Sequence, residues 1–140
     1  MSEENKAIVR RMAEEMVSKK NMVAFDELVS RDAKAHHVPP GMTPDFDGWK
    51  GLVGMVLGAF PDGRMNIEAL VASDDKVVMR YTFKGTHGGD LMGVPATGKP
   101  VDFSGMVMER IAGGKIVEHW EQMDMIGVMQ QIGAVPTPGE

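Results

Sequence analysis

Ile8, Val9, Met12, Ala13, Met16 and Val17 recur at spacings of three and four. That spacing is one buried face of an α-helix, and it predicts a helix over Glu4–Lys19, stopped by Lys19-Lys20-Asn21. A short second helix, Met22–Val29, follows, with Asn21 as its N-cap and Phe25, Leu28 and Val29 inward. Ala33–Val38 reads as an edge strand carrying His36 and His37, ended by Pro39-Pro40-Gly41. Trp49, Leu52, Val53, Val56, Leu57 and Phe60 form the cleanest stripe in the chain. They predict a third helix, Trp49–Phe60, capped by Asp47 or Gly48 and ended by Pro61-Asp62-Gly63. Gly51, Gly54 and Gly58 lie inside it, each costing about 1 kcal/mol relative to Ala. Close packing against a sheet is their expected use.

From Arg64 onward the period changes to two, the period of a strand. Arg64–Ala72 and Lys76–Thr86 form one hairpin around Ser73-Asp74-Asp75. Val101–Ile111 and Ile116–Met125 form another, across Ala112–Lys115, after a glycine- and proline-rich loop, Gly88–Pro100. Gly127–Ile132 makes a closing helical turn, and 134–140 reads as a tail. Helices followed by antiparallel strands define an α+β fold: three N-terminal helices packed in a curved, mostly antiparallel sheet, one domain over 1–140.

The last hairpin is apolar on both faces, so both must be covered. The face with Met106, Met108, Trp120 and Gln122 is assigned to a pocket. The face with Phe103, Val107, His119 and Met123 is assigned to a homodimer contact. Charge selects the register. A two-residue turn at Gly113-Gly114 would set Glu109 against Glu118, a repulsive pair. A three-residue loop with Gly114 as bulge residue instead sets Arg110 against Glu118, Met108 against Trp120, Met106 against Gln122 and Ser104 against Asp124.

Composition narrows the function. Hydrophobic residues are 43% of 140 and charged residues 25%, ordinary for a soluble globular chain. No apolar run approaches a membrane span, and the polar start, Met1-Ser2-Glu3-Glu4, is unlike a signal peptide. The chain has no cysteine, which removes disulfides and thiol catalysis and fits the cytoplasm. A net charge of −5 without a basic stripe argues against nucleic acid as partner. Fourteen methionines suit an adaptable core or a pocket for a small hydrophobic molecule. The histidines lack metal-ligand spacing, and no nucleotide-binding or GxSxG motif occurs. Neither metal nor organic cofactor is expected.

The candidate chemistry gathers in Lys115–Gly127. Asp124 sits among Met123, Met125 and Ile126. It is either a cap for the following turn or a base whose pKa desolvation raises. His87 either closes its strand or faces the pocket. His36 and His37 are adjacent, so one of them faces inward; His37 is the choice.

Gly85-Thr86-His87-Gly88-Gly89, Gly93-Val94-Pro95-Ala96-Thr97-Gly98-Lys99-Pro100-Val101, Arg110, Gly114-Lys115-Ile116-Val117-Glu118-x-Trp120-x-x-x-Asp124 and Gln131-Ile132-Gly133 together resemble the SnoaL-like polyketide cyclases, or ester cyclases, of the nuclear-transport-factor-two-like superfamily. Phe60-Pro61-Asp62 and the histidine ending the first strand fit the same pattern. The resemblance implies a cone of helices in a curved sheet, a dimer, and cofactor-free intramolecular aldol closure of a polyketide ester. It implies Asp124 as the acid/base, assisted by His37 and His87. The expected pocket is Trp49, Val53, Phe60, Arg80, Ser104, Met106, Met108, Trp120 and Gln122, partly closed by Gly88–Pro100. Competing readings are an isomerase, an epoxide hydrolase with Arg80 bridging paired carboxylates, and a non-catalytic binder of a small hydrophobic ligand.

Overall fold

The computed structural model describes residues 2–136. Of the expected tail, residues 137–140 lie outside the described residues. Helix α1, Ser2–Arg11, continues directly into π-helical turns, Met12–Ser18. Together they span the predicted first helix, and Val9, Met12, Ala13, Met16 and Val17 are buried as its stripe requires. Helix α2, Val23–Leu28, runs straight into strand β1, Val29–Ala35. Helix α3, Phe46–Ala59, starts three residues before its predicted first residue. Its cap is Asp45, not Asp47 or Gly48: the Asp45 carboxylate accepts the Gly48 N–H at 3.0 Å and the Thr43 hydroxyl at 2.6 Å.

Strands β2 (Arg64–Ser73), β3 (Lys76–Thr86), β4 (Pro100–Ala112) and β5 (Lys115–Met123) complete one open sheet in the order β1-β5-β4-β3-β2. All neighbours are antiparallel except β1 and β5, which run parallel. Helix α4, Met125–Gln131, closes the described fold. The expected α+β architecture, helices packed against a curved sheet, is what forms.

The β4–β5 register is the predicted one, with Arg110 opposite Glu118, Met108 opposite Trp120 and Met106 opposite Gln122. The device that sets it differs. Gly113 and Gly114 both take positive φ, 60° and 76°, which makes a two-residue turn between Ala112 and Lys115. A bulge at Val117 then shifts the pairing by one between Ile111–Ile116 and Arg110–Glu118.

The faces are the reverse of the expectation. Val101, Phe103, Val107, Glu109 and Ile111 of β4 are buried, as are Val77, Met79, Tyr81 and Phe83 of β3. This face packs against the helices. Met106, at 49% exposure, with Ser104 and Arg80, stands on the outer face. A period of two defines two faces but not which one is inside, and here both carry apolar residues. The glycines of α3 also have another role. A Cβ on Gly51, Gly54 or Gly58 would meet nothing within 4 Å, so they lie on the solvent side and give no closer approach to the sheet.

Candidate functional site

The helix-facing side of the sheet carries four ionisable groups in one chain. Glu109 and His119 face each other across β4 and β5. Their side chains hydrogen-bond through His119 Nδ1 and Glu109 Oε1. His119 Nε2 lies 3.4 Å from Glu121 Oε1, and the Tyr81 hydroxyl donates to Glu121 Oε2. Strand alternation puts His119 and Glu121 on the same side of β5, and Glu109 and Tyr81 come from the next two strands. Glu109 is 1% exposed and His119 5%.

Burial fixes the proton inventory. It disfavours the imidazolium, but Glu109 and then Glu121 outweigh that cost and hold His119 up to about 10. His119 is therefore cationic at neutral pH, with one N–H toward each carboxylate. Burial pushes the Glu109 carboxyl up as well, opposed by the charge of His119. Burial and the neighbouring Glu121 raise the Tyr81 phenol, which keeps its proton. Glu109 Oε2 has no hydrogen-bond partner among the described residues.

Above this chain the space between helices and sheet forms two adjoining lobes. The inner lobe, about 90 Å³, lies against Val9, Met12, Ala13 and Met16 of the first helix and reaches Glu109. The outer lobe, about 330 Å³, reaches His37, Pro39, Leu91, Met92 and Gln122. Trp49, Leu52, Val56, His119, Glu121 and Met123 border both. Trp49 is placed by the buried stripe of α3 and stacks on His119 at that junction.

The residues expected to form the site divide accordingly. Trp49 and Val53 line the inner lobe, while His37 and Gln122 line the outer one. His37 is exposed at φ 64°. The loop Gly88–Pro100 contributes Leu91 and Met92 to the outer lobe, in line with a partial cover. The placement of the others is corrected. Phe60 is core, edge-on to Phe83 at 5.5 Å, and touches neither lobe. Arg80, Ser104, Met106, Met108 and Trp120 project from the outer face, where Trp120 stacks on His36 at 4.9 Å.

Asp124 does not sit in an apolar pocket. It is exposed and caps α4, accepting the Gly127 N–H at 2.9 Å. The hydrophobic neighbours in sequence point elsewhere because the chain leaves the strand at Met123. His87 is fully buried at the base of its loop, with Nδ1 accepting from the Thr97 hydroxyl at 2.9 Å and the Thr97 N–H at 3.3 Å.

Phe103, Val107, His119 and Met123, assigned to a dimer contact, line the inner lobe instead. The sequence reasoning missed Tyr81, Glu109 and Glu121 and misplaced His119. A signal was present: the preferred register already set Glu109 against His119, an acid facing a base within an apolar alternation. Among the described residues no three acidic, histidine or cysteine side chains are arranged to hold a metal ion, and no helix is long and apolar enough to cross a membrane.

An apolar two-lobed cup with a buried acid–base chain at its junction defines a class of protein before any particular one. The family model described as SnoaL-like polyketide cyclase matches residues 7–132, and the chain belongs to that family. It is 40% identical over 55 residues to aklanonic acid methyl ester cyclase DnrD of Streptomyces peucetius, a match spanning 39% of this chain and 38% of that protein. Among solved structures it is similar to IdmH of Streptomyces antibioticus, described as a candidate polyketide cyclase. There the identity is 31%, over 92% of this chain and 98% of that one, with a TM-score of 0.78. AclR of Streptomyces galilaeus, described as a candidate hydroxylase, superposes at a TM-score of 0.88 with 26% identity, over 100% of this chain and 87% of that one.

Proposed function

We propose that this chain is a cyclase that closes a ring in a small polyketide-like carbonyl compound by acid–base chemistry, without metal or organic cofactor. The observation that carries the reading is the buried chain Tyr81–Glu121–His119–Glu109 at the junction of two lobes.

In an intramolecular aldol closure, a carboxylate of this chain removes a proton from the carbon next to a carbonyl. The electron pair of that C–H bond forms the enolate. The enolate carbon attacks a second carbonyl of the same molecule, a C–C bond forms, and the new alkoxide takes a proton. His119, cationic at neutral pH, offsets the negative charge on enolate and alkoxide oxygen, and fixed charges in a dry site are worth far more than in water. Tyr81 keeps Glu121 oriented. The walls of Met, Val and Phe exclude water that would solvate the enolate.

The alternative readings fare differently. An epoxide hydrolase of this superfamily needs an arginine between two carboxylates. Arg80 stands on the outer face, and among the described residues no arginine borders either lobe. A non-catalytic binder remains the competing reading, since the same cup holds a ligand whether or not it reacts. The hydroxylase description of AclR belongs to that protein; the fold by itself does not choose a reaction.

The test is incubation with aklanonic acid methyl ester and simpler open-chain polyketide esters. Ring closure yields an isomer of unchanged mass, separable by chromatography. Formation of that isomer by the wild type, and its loss in His119→Gln, supports the cyclase. Ligand binding without any isomer across the panel leaves the binder.

For assembly we propose a homodimer through the outer face of the sheet. Val78, Met106, Met108 and Trp120 supply the apolar surface there.

A further inference from the structure

The inner lobe has one polar end. Among the described residues around it, only Tyr81, Glu109, His119 and Glu121 ionise, and they form one hydrogen-bonded chain. The remaining walls, formed by Val9, Met12, Ala13, Met16, Met79 and Phe103 among others, are apolar. Its volume is about 90 Å³. An apolar cavity of ~150 Å³ takes a benzene ring, so this lobe is too small for an aromatic ring. A short alkyl chain is the apolar group that suits a space of this size.

The two carboxylates at the polar end are not equivalent. Glu121 accepts from Tyr81 with one oxygen and faces His119 with the other. Donors bound to a carboxylate stabilise its anion and weaken it as a base. Glu109 gives Oε1 to His119 and keeps Oε2 without a partner among the described residues, at 1% exposure. Buried polar atoms are almost always paired. Glu109 borders the apolar lobe, so its carboxyl stands closest to a group that a ligand brings there.

We infer that the inner lobe is a subsite for a short unbranched alkyl arm of an enolisable ketone, and that Glu109 takes the proton from the carbon joining that arm to the carbonyl. This rests on the acid–base reading above and assigns the base within it. The C–H pair becomes the enolate double bond, the carbonyl π pair moves to oxygen, and the proton goes to the Glu109 carboxylate, which borders the lobe. The enolate oxygen faces His119, whose Nε2–H is loosely held at 3.4 Å from Glu121. The bulk of the substrate occupies the outer lobe.

Hydrogen–deuterium exchange reads this step without ring closure. Pentan-3-one, heptan-4-one and 1,3-diphenylpropan-2-one are incubated with the full chain in D₂O, and loss of the α-proton signal is followed by NMR against buffer. In these symmetric ketones either arm is the same, so one must enter the lobe. Pentan-3-one and heptan-4-one exchange faster than in buffer, and 1,3-diphenylpropan-2-one exchanges at its buffer rate. Glu109→Gln removes roughly 10²-fold or more of the enhancement, the low end of positioned acid–base catalysis. Glu109→Asp, which keeps the charge but retracts it, also lowers the rate. Ala13→Leu fills the lobe and suppresses exchange of heptan-4-one more than of pentan-3-one, which serves if the Glu109 variants do not fold.

Enhancement of the diphenyl ketone equal to that of heptan-4-one, or no enhancement of any ketone, overturns the subsite. Exchange retained in folded Glu109→Gln and lost in Glu121→Gln makes Glu121 the base and leaves the cyclase reading standing. Exchange that follows Glu109 and arm size while no polyketide ester is ever closed removes the cyclase and keeps the subsite.

Discussion

His119 lies flat against Trp49, with ring centroids 4.1 Å apart and planes 17° from parallel. A cation over an indole face gains about 0.5–2 kcal/mol, more when dry, so Trp49 holds the imidazolium in place and favours its charge. Its own burial comes from α3, and the partner comes from β5. Helix and sheet are thus joined at the charged centre and not only through apolar contacts.

The first prediction follows from the raised pKa of His119. The unfolded imidazole titrates near its ordinary value of 6.5 and the folded one at about 10. A raised cationic pKa stabilises the fold fully below the unfolded value and loses that contribution as pH rises through the folded value. Stability therefore falls between about pH 6.5 and about pH 10. Glu109, also raised by burial, works in the same direction: its ionisation costs more folded than unfolded as pH rises. Thermal unfolding across this range should show a declining midpoint in the wild type and a flatter profile in His119→Gln. An unchanged slope in the variant would assign the decline to other groups.

Asp124 provides the sharpest contrast between family expectation and geometry. As the cap of α4 it satisfies the Gly127 N–H, and replacing a capping Asp by Ala costs about 0.5–2 kcal/mol. Asp124→Ala should lower stability by that amount, and Asp124→Asn, itself a good cap, by much less. Turnover per folded molecule should stay within a few-fold of wild type in both. A folded Asp124→Asn that loses turnover by ~10²-fold or more would restore the base assignment to Asp124.

The fold was legible because its signals are local and redundant. The stripe from Ile8 to Val17, the stripe from Trp49 to Phe60 and the turn at Gly113-Gly114 each name an element without outside information. Register was legible because Arg110 and Glu118 attract while Glu109 and Glu118 repel. The site was less so. Met106 and Trp120 looked like pocket wall, and Phe103 and Val107 looked like an interface, because both alternations are apolar. Which one is inside depends on where the helices lie, a tertiary fact. The helix-facing alternation also carries Glu109 and His119, which compositional reasoning sends to the surface. Only as a hydrogen-bonded pair do they tolerate burial. Asp124 was misread for a related reason: a period of two was carried past Met123, where the chain turns into α4.

His87 should prove to be an anchor and not a catalytic group. Its Nδ1 accepts both donors of Thr97, and its backbone N–H and C=O bond Lys99 and Gly98 at 2.9 Å. Side chain and backbone together tie the two ends of the loop. Loss of a buried side chain of this size costs about 2–5 kcal/mol. His87→Ala should destabilise by roughly that much and should make the segment 88–98 the first site of limited proteolysis. An unchanged digestion pattern, or a loss of turnover in a variant of wild-type stability, would contradict the anchor.

The last prediction concerns the outer face. Met106 is half exposed beside Met108, and Trp120 is partly covered by His36. Next to them Glu118 is bound by His36 at 2.8 Å and Arg110 at 3.0 Å. The hydrogen bond from His36, then that from Arg110, holds its carboxyl below the usual range. The apolar strip therefore carries its charge already paired, which suits it to contact with a second copy. A like charge placed at the centre of such a contact is set against its symmetry mate, because a two-fold interface is self-complementary. Met106→Glu should convert the dimer to monomer at micromolar concentration by light scattering. Its stability should change little, since the side chain is exposed in the single chain. The inner face is on the opposite side of the sheet, so the rate of α-proton exchange should persist in the monomer. A wild type that is already monomeric, or a Met106→Glu variant that stays dimeric, would rule out this face as the contact.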